Sequence, residues 1–361
     1  MCYEQNRTEQ NRTERIIEID QLKGLSIFLV VMFHIHIFSF GLGNIESMNE
    51  IMVIVMLARV RMPLFFFLSG FVLKKAALPI SEFPSYLANK FCHLMLPFFS
   101  VGLIYVYFIE KADFVQFVTS NMKLNYWYLY VLFILSIIVF FFNIISDKFC
   151  KKRIILDVLL AAGVCIMLLG IIYVIKFTIP SNEVEYLTLD ITSLRLIAAH
   201  SVPLFFGLLT SKYNLRNAIF NNQRLFTIAL LSFIALYCSF AIITYKENRF
   251  VMDLFGISGI IIVGYIFFSV LPKSSYIMDK LAYIGTKTLD IYVLHYFVMA
   301  SISLSFLNPY LAENGFIELI LLSILSIAVI ATCIFVGHII RQSRLLGFIL
   351  LGAKYNPSSN K

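Results

Sequence analysis

Along this chain, long unbroken apolar runs alternate with short polar stretches. A helix needs about 20 apolar residues to cross a hydrocarbon core of about 30 Å. Runs of that length fall near residues 22–41, 57–75, 92–110, 126–146, 154–175, 191–210, 225–244, 252–271, 283–306 and 316–340. The pattern predicts an all-α polytopic bundle of about ten transmembrane helices, because a spanning segment must satisfy every backbone polar group internally. The longest polar gaps, about 111–125 and 176–190, are too short to fold alone, so residues 15–345 are expected to form a single transmembrane domain. Residues 1–14 hold a duplicated pentapeptide, Glu4 to Thr8 and Glu9 to Thr13, without apolar periodicity. They read as a mobile cytoplasmic tail, and residues 346–361 as a second one. The first span lacks a cleavage site and is expected to act as an uncleaved anchor.

Composition agrees with the pattern. Apolar residues make up 60% and charged residues 14% of the 361, far from soluble averages. Charge then orients the spans. With the N-terminus in the cytoplasm, 21 of the 29 Lys and Arg lie on inside segments, five lie outside, and three fall within or at the edge of spans. That bias predicts both termini cytoplasmic. The net charge of +8 is accounted for by topology and by contact with membrane lipid, so no nucleic-acid partner is needed. The six cysteines are scattered singly, which argues for small buried hydrophobes and against a metal site or a disulfide framework.

The chemistry resides in polar residues that loop solvation does not explain. Lys23 and His34 are eleven residues apart in the first span, about three turns, which places them on one face roughly 16 Å apart. An ionisable group at that depth is costly unless it faces a protein interior or a water-filled cavity, so it marks a candidate site. His36, about 200° around the helix, faces elsewhere. Arg59 and Arg61 at the outer end of the second span cannot share a face, so one is expected to point inward while the other snorkels. Pro63 and Ser69-Gly70 follow on the same span, the latter pair leaving a small surface for close helix approach or access to the backbone. Arg195 and His200 lie in the sixth span, Asp290 and His295 in the ninth. Several such residues converging from separate helices point to a pathway or reaction site. His93 and His338 sit near the inner ends of their spans and are assigned to the interface.

Five ordered segments resemble the acyltransferase 3 superfamily, in its fucose 4-O-acetylase-like or nodulation-factor acetyltransferase-like branch. They are Ile19 to Gly24 running on to His34, Met62 to Phe71, Leu96-Pro97-Phe98, Tyr126 to Leu129, and Ile284 to His295. The resemblance implies a multi-pass enzyme of the bacterial inner membrane that moves an acyl group, usually acetyl, from cytoplasmic acyl-CoA to a hydroxyl of a cell-envelope glycan. Acyl-CoA would be a co-substrate, with no permanently bound cofactor. The family's pattern of a basic residue, ten residues and a histidine falls on Lys23 and His34, with Lys where many members have Arg. Close relatives often carry His where Arg61 stands, and His93 stands near the place of an expected Arg.

Acyl transfer from a thioester needs a base for the hydroxyl proton, and a neutral imidazole such as His34 serves near neutral pH. Negative charge developing on the thioester oxygen calls for a buried donor such as Arg61. Lys23 at the inner mouth could attract the CoA phosphates, with Ser69 a further candidate contact for CoA. Arg59, Arg195, His200, Asp290 and His295 are candidates for a pathway or for supporting contacts. Two alternatives stay open at this stage, a polysaccharide exporter and a non-enzymatic scaffold. Against the first stands the lack of inverted-repeat symmetry.

Overall fold

The computed structural model describes residues 16–39, 52–73, 77–150, 153–178, 189–242, 249–300, 302, 304 and 315–353. The tail expected at residues 1–14 and the final residues 354–361 lie outside the described residues. The described residues form helices and no strand. In chain order the helices are α1 (Ile17–His34), α2 (Met52–Val72), α3 (Phe83–Lys90), α4 (Leu96–Tyr105), α5 (Phe114–Thr119), α6 (Trp127–Ile145) and α7 (Ile154–Thr178). There follow α8 (Leu194–Lys212), α9 (Arg216–Phe220), α10 (Gln223–Ile242), α11 (Arg249–Tyr265), α12 (Tyr276–Gly285), α13 (Thr288–Ala300), α14 (Gly315–Gln342) and α15 (Arg344–Leu351).

Among the described residues, seven helical stretches are long and apolar enough to cross a membrane: Ile17–Phe38, Ile80–Glu110, Trp127–Cys150, Ile154–Thr178, Leu189–Lys212, Arg249–Val270 and Phe316–Gln342. The three other apolar runs fall on α2, α10 and α13. Contacts at the helix ends sort into two sets, as successive up-and-down crossings require. One end of the bundle holds Glu18 with Lys273 (3.5 Å), Asp157 with Lys212 (2.8 Å), and Asp290 with Arg341 (2.5 Å). The other holds His36 with Glu318 (2.7 Å) and the Lys123 ammonium on the Asp190 and Ile191 carbonyls (2.9 and 2.8 Å).

Reciprocal glycines set the closest helix pairs. A Cβ added at Gly70 of α2 would meet the Leu204 carbonyl of α8, and one at Gly207 of α8 would meet the Phe67 carbonyl of α2. The same device joins α1 to α12, where Gly24 lies against the Leu281 carbonyl and Gly285 against that of Asp20. Without a hydrophobic force between helices in lipid, such small residues let backbones approach and gain dispersion contact.

Three boundaries differ from the apolar pattern. First, α1 starts at Ile17, ahead of the apolar run, with Glu18, Asp20 and Gln21 buried. That burial is tolerated because Gln21 donates to the Lys273 carbonyl (2.8 Å) and Glu18 pairs with the Lys273 ammonium. Second, the run at 283–306 is broken into α12 and α13. Thr286 closes the end of α12 by donating its hydroxyl to the Tyr283 carbonyl at 2.7 Å. Third, α15 occupies the start of the segment read as the C-terminal tail, with Gly347 and Leu351 buried. The Ile349 carbonyl there accepts from Ser100 on α4 at 2.7 Å, and the Gly352 carbonyl from His93 at 2.5 Å.

Candidate functional site

His34 is the last residue of α1, and the helix continues as a π turn over Ile35–Ser39. Such turns widen the helix and recur at functional sites. His34 Nδ1 lies 3.0 Å from Nε2 of His295 on α13, a residue with no exposed surface. His295 Nδ1 in turn lies 2.7 Å from the Tyr292 carbonyl oxygen and 3.1 Å from that of Ile291. A carbonyl only accepts, so the Nδ1 of His295 must carry a proton. Neutral His295 therefore presents a bare Nε2, and the proton between the rings belongs to His34 Nδ1. This hydrogen-bond network fixes both tautomers and leaves the lone pair of His34 on Nε2.

Beyond that nitrogen stands the Tyr296 hydroxyl, 3.3 Å from His34 Nε2 and 3.3 Å from the Asn125 carbonyl oxygen. The hydroxyl has one proton, and when it donates to Asn125 it leaves His34 Nε2 without a donor. Asn125 reaches this depth on a segment whose backbone is left-handed at Lys123, Leu124 and Asn125 (φ 45°, 42° and 83°). Two anchors hold it in that costly conformation. Lys123, 2% exposed, donates to the carbonyls of Val118 (2.6 Å), Asp190 and Ile191, and Tyr126 donates to the Val293 carbonyl (2.9 Å). Tyr292 adds a further bond to the Asn125 carbonyl at 3.1 Å.

Arg61 approaches from α2. Its guanidinium carbon is 3.3 Å from the centroid of the Phe33 ring, the residue before His34. Its charge lies within electrostatic reach of His34, His295, His200 and Tyr296. The Nε and Nη1 atoms are buried and find no hydrogen-bond partner among the described residues. Buried donors left unmatched are rare and costly, and here they are preorganised for an oxygen that brings negative charge.

His200 on α8 lies near-parallel to both Phe66 (centroids 4.4 Å, planes 2° apart) and Trp127 (5.1 Å, 23°), which also contact each other at 6.0 Å. A relay of ring contacts through Phe66, Tyr128 and Tyr292 connects it to His295. Ser69 lies on the same wall, 2.8 Å from the Phe65 carbonyl and 2.7 Å from the Tyr128 hydroxyl. It therefore donates to Phe65 and accepts from Tyr128, so its proton is already used.

The structure thus brings His34, Arg61, His200 and His295 to one region, with Ser69 at its edge. It does not bring the remaining candidates there. Lys23 lies at the far end of α1, 3.3 Å from Asp20 and 25% exposed. Asp290 is held by Arg341 in a two-point pair of 2.8 and 2.5 Å. Arg59 is two residues, about 200°, around α2 from Arg61, and Arg195 is five residues, about 140°, around α8 from His200. His36 faces away from His34, as expected, against buried Glu318. That close approach lacks the alignment of a hydrogen bond.

Sequence reasoning gave no role to Tyr128, Tyr292, Tyr296 or Asn125. Tyr128 and Tyr292 lie inside quoted motifs, and Tyr296 and Asn125 each adjoin one. A cavity of about 260 Å³ opens past Tyr296, lined by Phe38, Tyr105, Ile109, Glu110, Met299 and Ile302 among others. Within it Tyr105 donates to the Glu110 carboxylate at 2.8 Å. Among the described residues no three His, Cys, Asp or Glu side chains cluster closely enough to hold a metal ion.

Comparison with known proteins gives one match. A family model described as an acyltransferase domain covers residues 16–336, a stretch that contains every helix of this site. No curated protein and no solved structure matches the chain. With that match running over nearly its whole length, and with apolar helices fit to cross a membrane, the chain belongs to the acyltransferase 3 family of membrane acyltransferases.

Proposed function

We propose that this acyltransferase moves an acyl group, acetyl in the simplest case, from cytoplasmic acyl-CoA to a hydroxyl of a cell-envelope glycan, in a bacterial inner membrane. The observation that carries the reading is the fixed tautomer of His34, whose ring lies within electrostatic reach of Arg61, a residue with two buried unmatched donors. In the reaction the acceptor hydroxyl gives its proton to His34 Nε2 as its oxygen bonds to the thioester carbonyl carbon. The carbonyl oxygen takes up negative charge, which the Arg61 guanidinium stabilises. Collapse breaks the carbon–sulfur bond, and the proton held on His34 passes to the departing thiolate of CoA.

His295 touches neither reactant in this scheme. It accepts the Nδ1 proton of His34 and holds the ring in the useful tautomer, much as a second group orients the base in hydrolytic triads. Lys23, partly exposed at the other end of α1, is positioned by this reading to meet the CoA phosphates. The acceptor enters by the cavity past Tyr296, where Phe38 and Tyr105 offer aromatic faces and Glu110 a carboxylate for sugar hydroxyls. The test is purified protein in detergent with labelled acetyl-CoA and extracted envelope glycan. Label moving to glycan supports the reading, since transport alone moves none without a membrane. Label released only as free acetate, or not at all, refutes glycan acylation from acetyl-CoA.

A further inference from the structure

A groove of about 470 Å³ runs down the outside of the bundle, between α1, α12 and α14. It faces away from the reaction site, since Phe28, its contribution from α1, is six residues and about 120° around that helix from His34. Its floor is apolar, with Ile330 only 3% exposed, and its rims Tyr283, Ile327 and Phe335 are 51%, 61% and 65% exposed. Such rims open sideways to hydrocarbon. Its wall on α14 extends from Ile327 to His338, eleven residues or about 16 Å. That length matches one leaflet of a core about 30 Å thick.

One end of the groove is basic. Lys280, Lys287 and His338 line it at the end of the bundle that charge bias assigns to the cytoplasm. Several other basic groups at that end are matched, Lys23 with Asp20, Lys212 with Asp157, Lys273 with Glu18 and Arg341 with Asp290, while Lys148, Arg216 and Arg224 have no ion pair among the described residues but do not line the groove. Lys280, Lys287 and His338 have no carboxylate within ion-pair distance among the described residues. An apolar channel one leaflet long that ends in unmatched cations is complementary to a lipid with an anionic headgroup. A neutral lipid would leave the cations unmatched, and a soluble phosphate would leave the channel empty.

We propose that this groove is a binding site for an anionic phospholipid of the cytoplasmic leaflet. The headgroup phosphate is held by Lys280, Lys287 and His338, and one acyl chain lies along Ile330, Ile334 and Phe335. The site is separate from the acyl-transfer centre and does not depend on which donor or acceptor that centre uses.

Native mass spectrometry of the detergent-purified protein tests this, with phosphatidylglycerol, phosphatidylcholine, glycerol phosphate and acetyl-CoA offered in competition. Phosphatidylglycerol should be retained over phosphatidylcholine. The combined change Lys280→Gln, Lys287→Gln and His338→Gln should reduce that preference roughly tenfold or more. The control change Lys148→Gln, Arg216→Gln and Arg224→Gln, elsewhere on the same face, should leave it intact. Ala331→Trp, which fills the groove from an exposed position, should weaken retention of both lipids. Equal retention of the two lipids, or an equal loss in the control variant, overturns the proposal. Glycerol phosphate binding as tightly as the lipid would make this a free-phosphate site, and displacement of lipid by acetyl-CoA would make it a donor site. Either result also overturns it.

Discussion

His34 Nδ1 donates to His295 Nε2 across 3.0 Å, and the direction of that bond is set because the one N–H of neutral His295 donates to the Tyr292 carbonyl. Two residues 261 positions apart in the chain therefore decide which nitrogen of His34 is basic. Removing His295 should lower kcat by about 10²-fold or more while leaving KM for acyl-CoA near its original value. His295→Gln keeps an acceptor for His34 Nδ1 and should recover part of the rate, whereas His295→Phe should not. Equal losses in both variants would mean that His295 only fills space.

Arg61 contributes two buried donors with no partner among the described residues. If they bind the developing oxyanion, Arg61→Ala should cut kcat by about 10²-fold to 10³-fold, the usual effect of losing such a donor. Arg61→Lys keeps the charge but loses the planar fork, so its rate should fall between the two. A change confined to KM would place Arg61 in ground-state binding instead.

Lys123 closes the loop that delivers Asn125 to the site. Lys123→Ala leaves the carbonyls of Val118 and Ile191 without their side-chain donor, while that of Asp190 keeps the Ser193 backbone N–H at 3.1 Å. Each orphaned group costs about 1–3 kcal/mol, so thermal unfolding in detergent should start well below that of the unaltered protein. Because Asn125 would also lose its anchor, activity below the melting transition should fall as well.

Gly207 is where α8 meets the Phe67 carbonyl of α2. A single methyl there must push the two backbones apart, at a cost of roughly 1–3 kcal/mol. Gly207→Ala should reduce the amount of protein accumulating in the membrane. Gly163→Ala on α7, where an added Cβ meets nothing within 4 Å, should not.

Much of this was legible in the chain because lipid makes polarity conspicuous. Among the described residues the apolar runs lie on helices, with the run at 283–306 divided between two, since only helices and closed barrels satisfy the backbone in hydrocarbon. His34, Arg61, His200 and His295 stood out for the same reason, as residues whose burial is costly without a purpose. The pairing of His34 with His295 was not legible, because spacing along a chain does not say which helices become neighbours. Asn125 was invisible for a different reason. It acts through its carbonyl, a group nearly every residue has, placed by a left-handed backbone that its sequence does not advertise. The tyrosines lay in or beside quoted motifs, but among 19 tyrosines and 36 phenylalanines their pattern assigned them no role. At the break between α12 and α13, the Thr286 hydroxyl turns back to the Tyr283 carbonyl of its own helix.

The central claim is that His34 Nε2 takes the acceptor proton. The most direct measurement is the initial rate of label transfer from acetyl-CoA to glycan by purified His34→Ala protein, compared with unaltered protein of equal melting temperature. The account predicts a loss of about 10²-fold to 10⁴-fold with acyl-CoA binding retained. A rate within a factor of two of the unaltered protein would contradict it.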